Sequence, residues 1–278
     1  MRKKQRSQWG KVISNLLFLG IIVMGCSLSG GAEEPIQNND SPQKTQILFI
    51  GNSYTFSNDL PGILLNLAKE GGYDLKITML AEGGWTLEKN AASQEILEWV
   101  KQPQWDYVVL QEQSVIPSNL TEREQSMYPA VRQLNTEIQS AGAETILFMT
   151  WGRRDGMLQS GFSDFGEMQA EIAKGYIEVA NELNVIIAPV GVAWQRAIEQ
   201  SAQFDLWQTD GSHPSLTGSY LAACVFYAVV FQESPEGLAY VAGLDEEVGN
   251  QLQSIAAETV LGDLERWNIK SNDINKFE

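Results

Sequence analysis

Five short apolar runs set the terms on which this chain can fold. They are Gln46–Gly51 (QILFIG), Lys76–Ala81 (KITMLA), Tyr107–Gln111 (YVVLQ), Thr145–Thr150 (TILFMT) and Val185–Val190 (VIIAPV). Runs this apolar and this short read as strands covered on both faces. Amphipathic stretches near 60–70, 86–102, 121–141 and 165–183 separate them and read as helices. Alternation of this kind predicts an α/β fold, a five-stranded parallel sheet with helices on both faces. An apolar helix over Ser215–Phe231 and a last one near 244–266 complete a single domain, 46–278, with no internal repeat. Ligands of open parallel sheets bind beyond the carboxyl ends of the strands, so the residues just after each run are the candidates for function.

Composition narrows the chemistry. The chain has 19 Lys+Arg against 35 Asp+Glu, a net charge of −16, and five of the basic residues (Arg2, Lys3, Lys4, Arg6, Lys11) fall in the first 25 positions. The remainder repels a phosphate backbone, which argues against nucleic acid as a partner. One histidine excludes zinc sites built on two or three His ligands, and two cysteines exclude a disulfide framework. The basic start, Met1–Lys11, precedes the apolar run Val12–Gly25, which has the length of a signal-peptide core and reads as an export signal over 1–25. Val23-Met24-Gly25-Cys26 resembles the lipobox of bacterial lipoproteins. It implies an exported protein held to the membrane of the cell envelope by lipid on Cys26, with a plain secretory signal or uncleaved anchor as the alternative. Residues 26–45, rich in Ser, Gly, Asn, Gln and Pro, read as a flexible tether. Cys224, in the apolar helix, reads as a buried core thiol.

The first strand runs into Gly51-Asn52-Ser53-Tyr54-Thr55. Ser53 sits at a turn where its hydroxyl can face a cleft, although Asn52 or Ser53 could equally serve only to cap the next helix. The single histidine lies in Thr209-Asp210-Gly211-Ser212-His213-Pro214, a polar loop ahead of the long helix. There the Asp210 carboxylate can accept the imidazole Nδ1–H and leave Nε2 free to take a proton from a serine. A surface Asp–His pair without a task is the competing reading. Serine needs an adjacent base to act as a nucleophile, and His213 is the only imidazole on offer.

Ile47–Thr55 (ILFIGNSYT) and Asp210–Pro214 (DGSHP) resemble the first and last sequence blocks of the SGNH hydrolases, also called GDSL esterases/lipases, in a divergent branch with Gly-Asn-Ser in place of Gly-Asp-Ser. The resemblance implies a flavodoxin-like three-layer α/β/α sandwich, with Ser53 as nucleophile, His213 as general base and Asp210 as its orienting acid. It also implies an oxyanion hole made by the Ser53 backbone N–H, a glycine N–H after the second strand and an amide side chain after the third. In Ala81-Glu82-Gly83-Gly84-Trp85-Thr86 that glycine is Gly84, with Gly83 the alternative. The third block departs from the usual Gly-x-Asn-Asp: here it reads Leu110-Gln111-Glu112-Gln113-Ser114, so Gln113 is the expected donor and Gln111 the runner-up.

After the fourth run, Trp151, Arg153 and Arg154 are candidates for substrate binding, as is Asn52. The arginines could instead pair with acids such as Asp155, and most of the eight tryptophans are expected in the core. The triad and the family resemblance imply hydrolysis of short acyl esters without metal or cofactor, and export together with the family's habits implies acetyl groups on carbohydrate as a candidate substrate. An acyltransferase on the same triad and a non-catalytic, surface-anchored glycan-binding protein are the alternatives. A flavin or nucleotide site is disfavoured, because nothing resembles Gly-x-Gly-x-x-Gly after the first strand.

Overall fold

A computed structural model describes residues 44–271, except 202. The expected export signal, Cys26 and the tether up to residue 43 lie outside the described residues. Thr45, taken as the last tether residue, already belongs to the first strand. The apolar runs form β1 (Thr45–Gly51), β2 (Leu75–Ala81), β3 (Tyr107–Leu110), β4 (Glu144–Phe148) and β5 (Ile186–Ala188). They make one sheet in the order β2-β1-β3-β4-β5, parallel at every pairing. The register sets Ile47 beside both Ile77 and Tyr107, and Gly51 beside Ala81, so β1 and β2 end level with one another. The chain leaves β1 toward β2 and reaches β3 on the other flank, so the topological switch point falls between β1 and β3, where a cleft opens.

The helices follow in order as α1 (Ser53–Phe56), α2 (Leu60–Glu70), α3 (Leu87–Ala92), α4 (Gln94–Val100), α5 (Leu120–Glu122), α6 (Tyr128–Ser140), α7 (Phe165–Leu183), α8 (Val190–Gln200), α9 (Leu216–Phe231) and α10 (Glu246–Leu261). Packing divides the longer ones into two layers. α2, α8 and α10 gather around α9, while α3, α4, α6 and α7 form the second group. α9 is apolar all round and buried from Gly218 to Val230, as expected of a helix enclosed by its neighbours. Phe226 projects from it onto the sheet, edge-on to Phe49 of β1 (5.1 Å) and Phe148 of β4 (4.9 Å). Cys224 beside it is fully buried, and burial pushes its thiol pKa up.

Three local departures from the sequence reading have physical reasons. The expected helix over 86–102 is broken at Ser93, which adopts an extended backbone and accepts the Ile96 N–H, capping α4. The expected helix over 121–141 contains a π-helical turn at Arg123–Met127. That turn accompanies the burial of the Arg123 guanidinium, which donates to the carbonyls of Pro117 (3.2 Å) and Glu171 (2.9 Å). α8 was not anticipated: it starts one residue after β5, behind Pro189, so the run VIIAPV conceals the junction.

Replacing Phe226 by alanine is expected to cost about 3–5 kcal/mol, because the cavity would lie between two packed aromatic rings with no flexible side chain to fill it. Urea unfolding of F226A against wild type measures this. A loss below about 1 kcal/mol would mean that α9 is not docked on the sheet through this ring.

Candidate active site

The turn after β1 is held by side chains that the sequence places around it. A Cβ on Gly51 would run into Thr55 Oγ1 and Gln111 Oε1, so glycine is required where the strand ends. Asn52 is buried; its Oδ1 accepts the Tyr54 N–H (3.1 Å), its Nδ2 donates to the Trp85 carbonyl (2.9 Å), and its N–H donates to Gln111 Oε1 (2.8 Å). Asn52 was a candidate for substrate binding; it lines the pocket over Ser53, and its amide also fixes the turn and ties it to the loop after β2. Ser53 thereby becomes the first residue of α1, half-buried and facing the cleft.

The loop before α9 comes to meet it. Asp210 Oδ1 accepts the backbone N–H groups of Ser212 (2.9 Å) and His213 (3.0 Å), an Asx turn that Gly211 completes at φ +67°. Asp210 Oδ2 lies 2.5 Å from His213 Nδ1, and His213 Nε2 lies 2.9 Å from Ser53 Oγ. The hydrogen bond to His213 and those from the two backbone N–H groups hold the Asp210 carboxyl down at about 2. Sequence reasoning paired these three residues, and the structure brings them together in one hydrogen-bonded chain.

Aromatic rings support the histidine from behind. Tyr54 stacks on Trp151 (4.6 Å, 8°), Trp151 stacks on Trp194 of α8 (4.0 Å, 6°), and the Tyr54 ring meets His213 edge-on at 5.7 Å. The Trp151 Nε1–H donates to the Ser212 carbonyl (3.0 Å), and the Tyr54 hydroxyl is 2.7 Å from Ser212 Oγ. Trp151 is 1% exposed, so it presents no face on which a substrate could stack. This corrects the expectation from sequence. Tyr54 and Ser212 were not singled out there, although each is a neighbour of a residue that was.

A pocket of about 370 Å³ opens over Ser53 and His213, lined also by Gly83, Gly84, Gln113 and Arg153. Gly84 has φ +72° and open space where a Cβ would point, so its conformation, not crowding, calls for glycine. Its N–H makes no hydrogen bond among the described residues. The two glutamines separate cleanly. Gln111 is buried; its Oε1 accepts from Asn52 N and Thr55 Oγ1 (2.9 Å), and its Nε2 donates to the Glu112 carbonyl. Gln113 lines the pocket; its Oε1 accepts the Val115 N–H (2.8 Å), which leaves Nε2 with only a 3.3 Å contact to Ser114 Oγ. The arginines also part. Arg154 pairs with Asp155 at 3.5 Å, whereas Arg153 lines the pocket. No group of three His, Cys, Asp or Glu able to hold a metal occurs among the described residues.

Glu112, between the two glutamines, is the residue that sequence reasoning missed. Its buried Oε1 accepts the N–H of Leu87, just after the Gly83–Gly84 loop (3.0 Å), and the N–H of Gln113 (2.6 Å). Its Oε2 is buried without a partner. Burial outweighs the two hydrogen bonds and raises its pKa from 4.5 to about 7, and nearby Glu88 and Glu122 push the same way. Because the folded state holds this proton more tightly than the unfolded chain, stability is full below about pH 4.5 and falls as pH rises through about 7. Urea unfolding from pH 4.5 to 8 is expected to show wild type losing about 3 kcal/mol more than Glu112→Gln over that range. Identical pH profiles for the two proteins would mean that the carboxyl is not desolvated.

Comparison with known proteins agrees with the fold. The profile of a family described as DUF4886, a domain of unknown function, matches residues 87–257. No curated protein matches the sequence significantly. Among solved structures, a Slackia heliotrinireducens protein assigned to the SGNH hydrolases is 28% identical, with TM-score 0.57, covering 66% of this chain and 97% of its own. A DUF4886 family protein from Bacteroides uniformis is 20% identical with TM-score 0.68, covering 84% of this chain and 100% of its own. An acetylxylan esterase from Geobacillus stearothermophilus, 14% identical with TM-score 0.52 over 66% of this chain and 93% of its own, shares the architecture. The chain belongs to the DUF4886 family and has the fold of the SGNH hydrolases.

Proposed function

We propose that the protein is a serine esterase that removes short acyl groups through an acyl-enzyme. The observation that carries this reading is the chain of contacts from Asp210 through His213 to Ser53 at the mouth of a pocket. Asp210 accepts Nδ1–H and so fixes the tautomer in which Nε2 is the base. Nε2 takes the Ser53 hydroxyl proton as Oγ attacks the ester carbonyl, and the same proton then goes to the departing alcohol. The Ser53 and Gly84 backbone N–H groups and Gln113 Nε2 receive the oxyanion. Water, deprotonated by His213, then releases the acid.

The pocket lining favours a small acyl group. It consists of serines, glycines, amides, Tyr54, Arg153 and His213, with no aliphatic side chain to hold a long chain. A second cavity of about 360 Å³ includes Trp85, one residue beyond Gly84, and is lined by Glu82, Asn90 and Glu95 together with the apolar Met79, Leu80 and Ile96. An aromatic face beside hydrogen-bonding groups suits a sugar, which supports an acylated carbohydrate as the substrate. Export and lipid attachment at Cys26 belong to the same proposal and fit a substrate outside the cell.

Hydrolysis of p-nitrophenyl acetate, butyrate and octanoate by the chain from Ser27 onward tests the reading. Acetate is expected to be the best substrate. Ser53→Ala and His213→Ala should each lower kcat by about a thousandfold or more, and Gln113→Ala by about a hundredfold or more. Full activity in Ser53→Ala would overturn the mechanism, and preference for octanoate would overturn the short-acyl assignment.

A further inference from the structure

Arg153 stands apart from the other arginines. Arg123, Arg132, Arg154 and Arg196 each have a carboxylate within ion-pair distance, and Arg266 lies over the Trp267 ring at 4.7 Å. Among the described residues, Arg153 alone has neither, although the chain carries 35 Asp+Glu and its neighbour Arg154 finds Asp155. It is also the arginine that lines the pocket over Ser53 and His213. Its Nε is buried with no partner. A guanidinium partly withdrawn from water and left without a counter-charge costs free energy, unless an anion that arrives later supplies that charge.

The backbone holds it there firmly. The Gly152 N–H donates to Gln169 Oε1 (2.8 Å), the Gly152 carbonyl accepts the Trp207 Nε1–H (3.2 Å), and the Arg154 N–H donates to the Gly211 carbonyl (3.0 Å). The Arg153 backbone is therefore held between two anchored residues. Asp210, the carboxylate of the site, is already committed to His213 and two backbone N–H groups.

We infer that Arg153 is a substrate-recognition residue and that the preferred ester carries a carboxylate close to the scissile bond. The planar guanidinium fork matches a carboxylate in two parallel hydrogen bonds, an interaction stronger than its neutral counterparts. This inference rests on the esterase reading above and narrows its substrate class. The carboxylate can belong to the alcohol side, as in an acetylated uronic acid, or to the acyl side, as in a succinyl ester.

Two substrate pairs separate these sources: acetylated glucuronic acid against acetylated glucose, and p-nitrophenyl succinate against p-nitrophenyl butyrate. Wild type is expected to favour the charged member of one pair roughly tenfold or more in kcat/KM. The preferred pair names the side that carries the carboxylate. In Arg153→Gln the charged-to-neutral ratio should fall to near one, and in Arg153→Lys it should fall only part of the way. No preference in either pair, or a preference undiminished in a folded Arg153→Gln, would overturn the inference while the esterase reading stands. If wild type hydrolyses no ester, the esterase reading fails, and calorimetric titration with glucuronate and with succinate carries the test. Binding of either anion to wild type that is lost in Arg153→Gln would support the anion site, and absence of binding would overturn it.

Discussion

The stack of Trp194, Trp151 and Tyr54 is the constraint on which the geometry of this site depends. His213 sits in a loop with no regular structure of its own, and loops of that kind ordinarily wander. Here one ring of a three-ring column lies against the imidazole, and the column is rooted in α8 on the helical layer that packs around α9. Large flat rings lock few torsions and bury much area, so they hold a loop at modest entropic expense. Hydrogen bonds from the Trp151 indole to the Ser212 carbonyl, and between Tyr54 and Ser212, then set the loop's position along the column.

The other wall is organised by polar contacts. Asn52 bridges the turn after β1 to the loop after β2, Gln111 receives the N–H of Asn52, and Glu112 joins the loop after β2 to that after β3. Three strand ends are thus cross-linked through side chains that are themselves buried. The cost is visible at Glu112, whose second oxygen has no partner and whose carboxyl resists ionisation. Local destabilisation of this kind is common where groups must be held ready for a ligand.

Much of this was legible in the sequence, and the limits follow from what sequence patterns encode. The five apolar runs became the five strands because burial on both faces leaves a continuous apolar signal. Ser53, His213 and Asp210 could be paired because a single histidine beside an aspartate leaves few alternatives. Trp151 was misread because a position just after a strand end says nothing about whether a side chain turns toward the cleft or back into the core. Glu112 went unseen because its partners are backbone N–H groups, which every residue carries. Gln113 was preferred to Gln111 because it lies farther beyond the strand, but period-two alternation puts both on one face. Only the hydrogen bonds of Gln111 to Asn52, Thr55 and Glu112 show that it is enclosed.

Asp210 and His213 lie three residues apart, whereas Ser53 is 160 residues before His213. The histidine and its aspartate therefore travel as one cassette, and joining them to the serine requires a single long-range meeting. During synthesis the serine and both flanking loops emerge first, and the histidine arrives only with the segment leading into the last sheet-covering helix. The site is then completed late: a nascent polypeptide halted before residue 210 would hold the serine but lack the Ser212–His213 side of the pocket and the helix α9 that packs on the sheet.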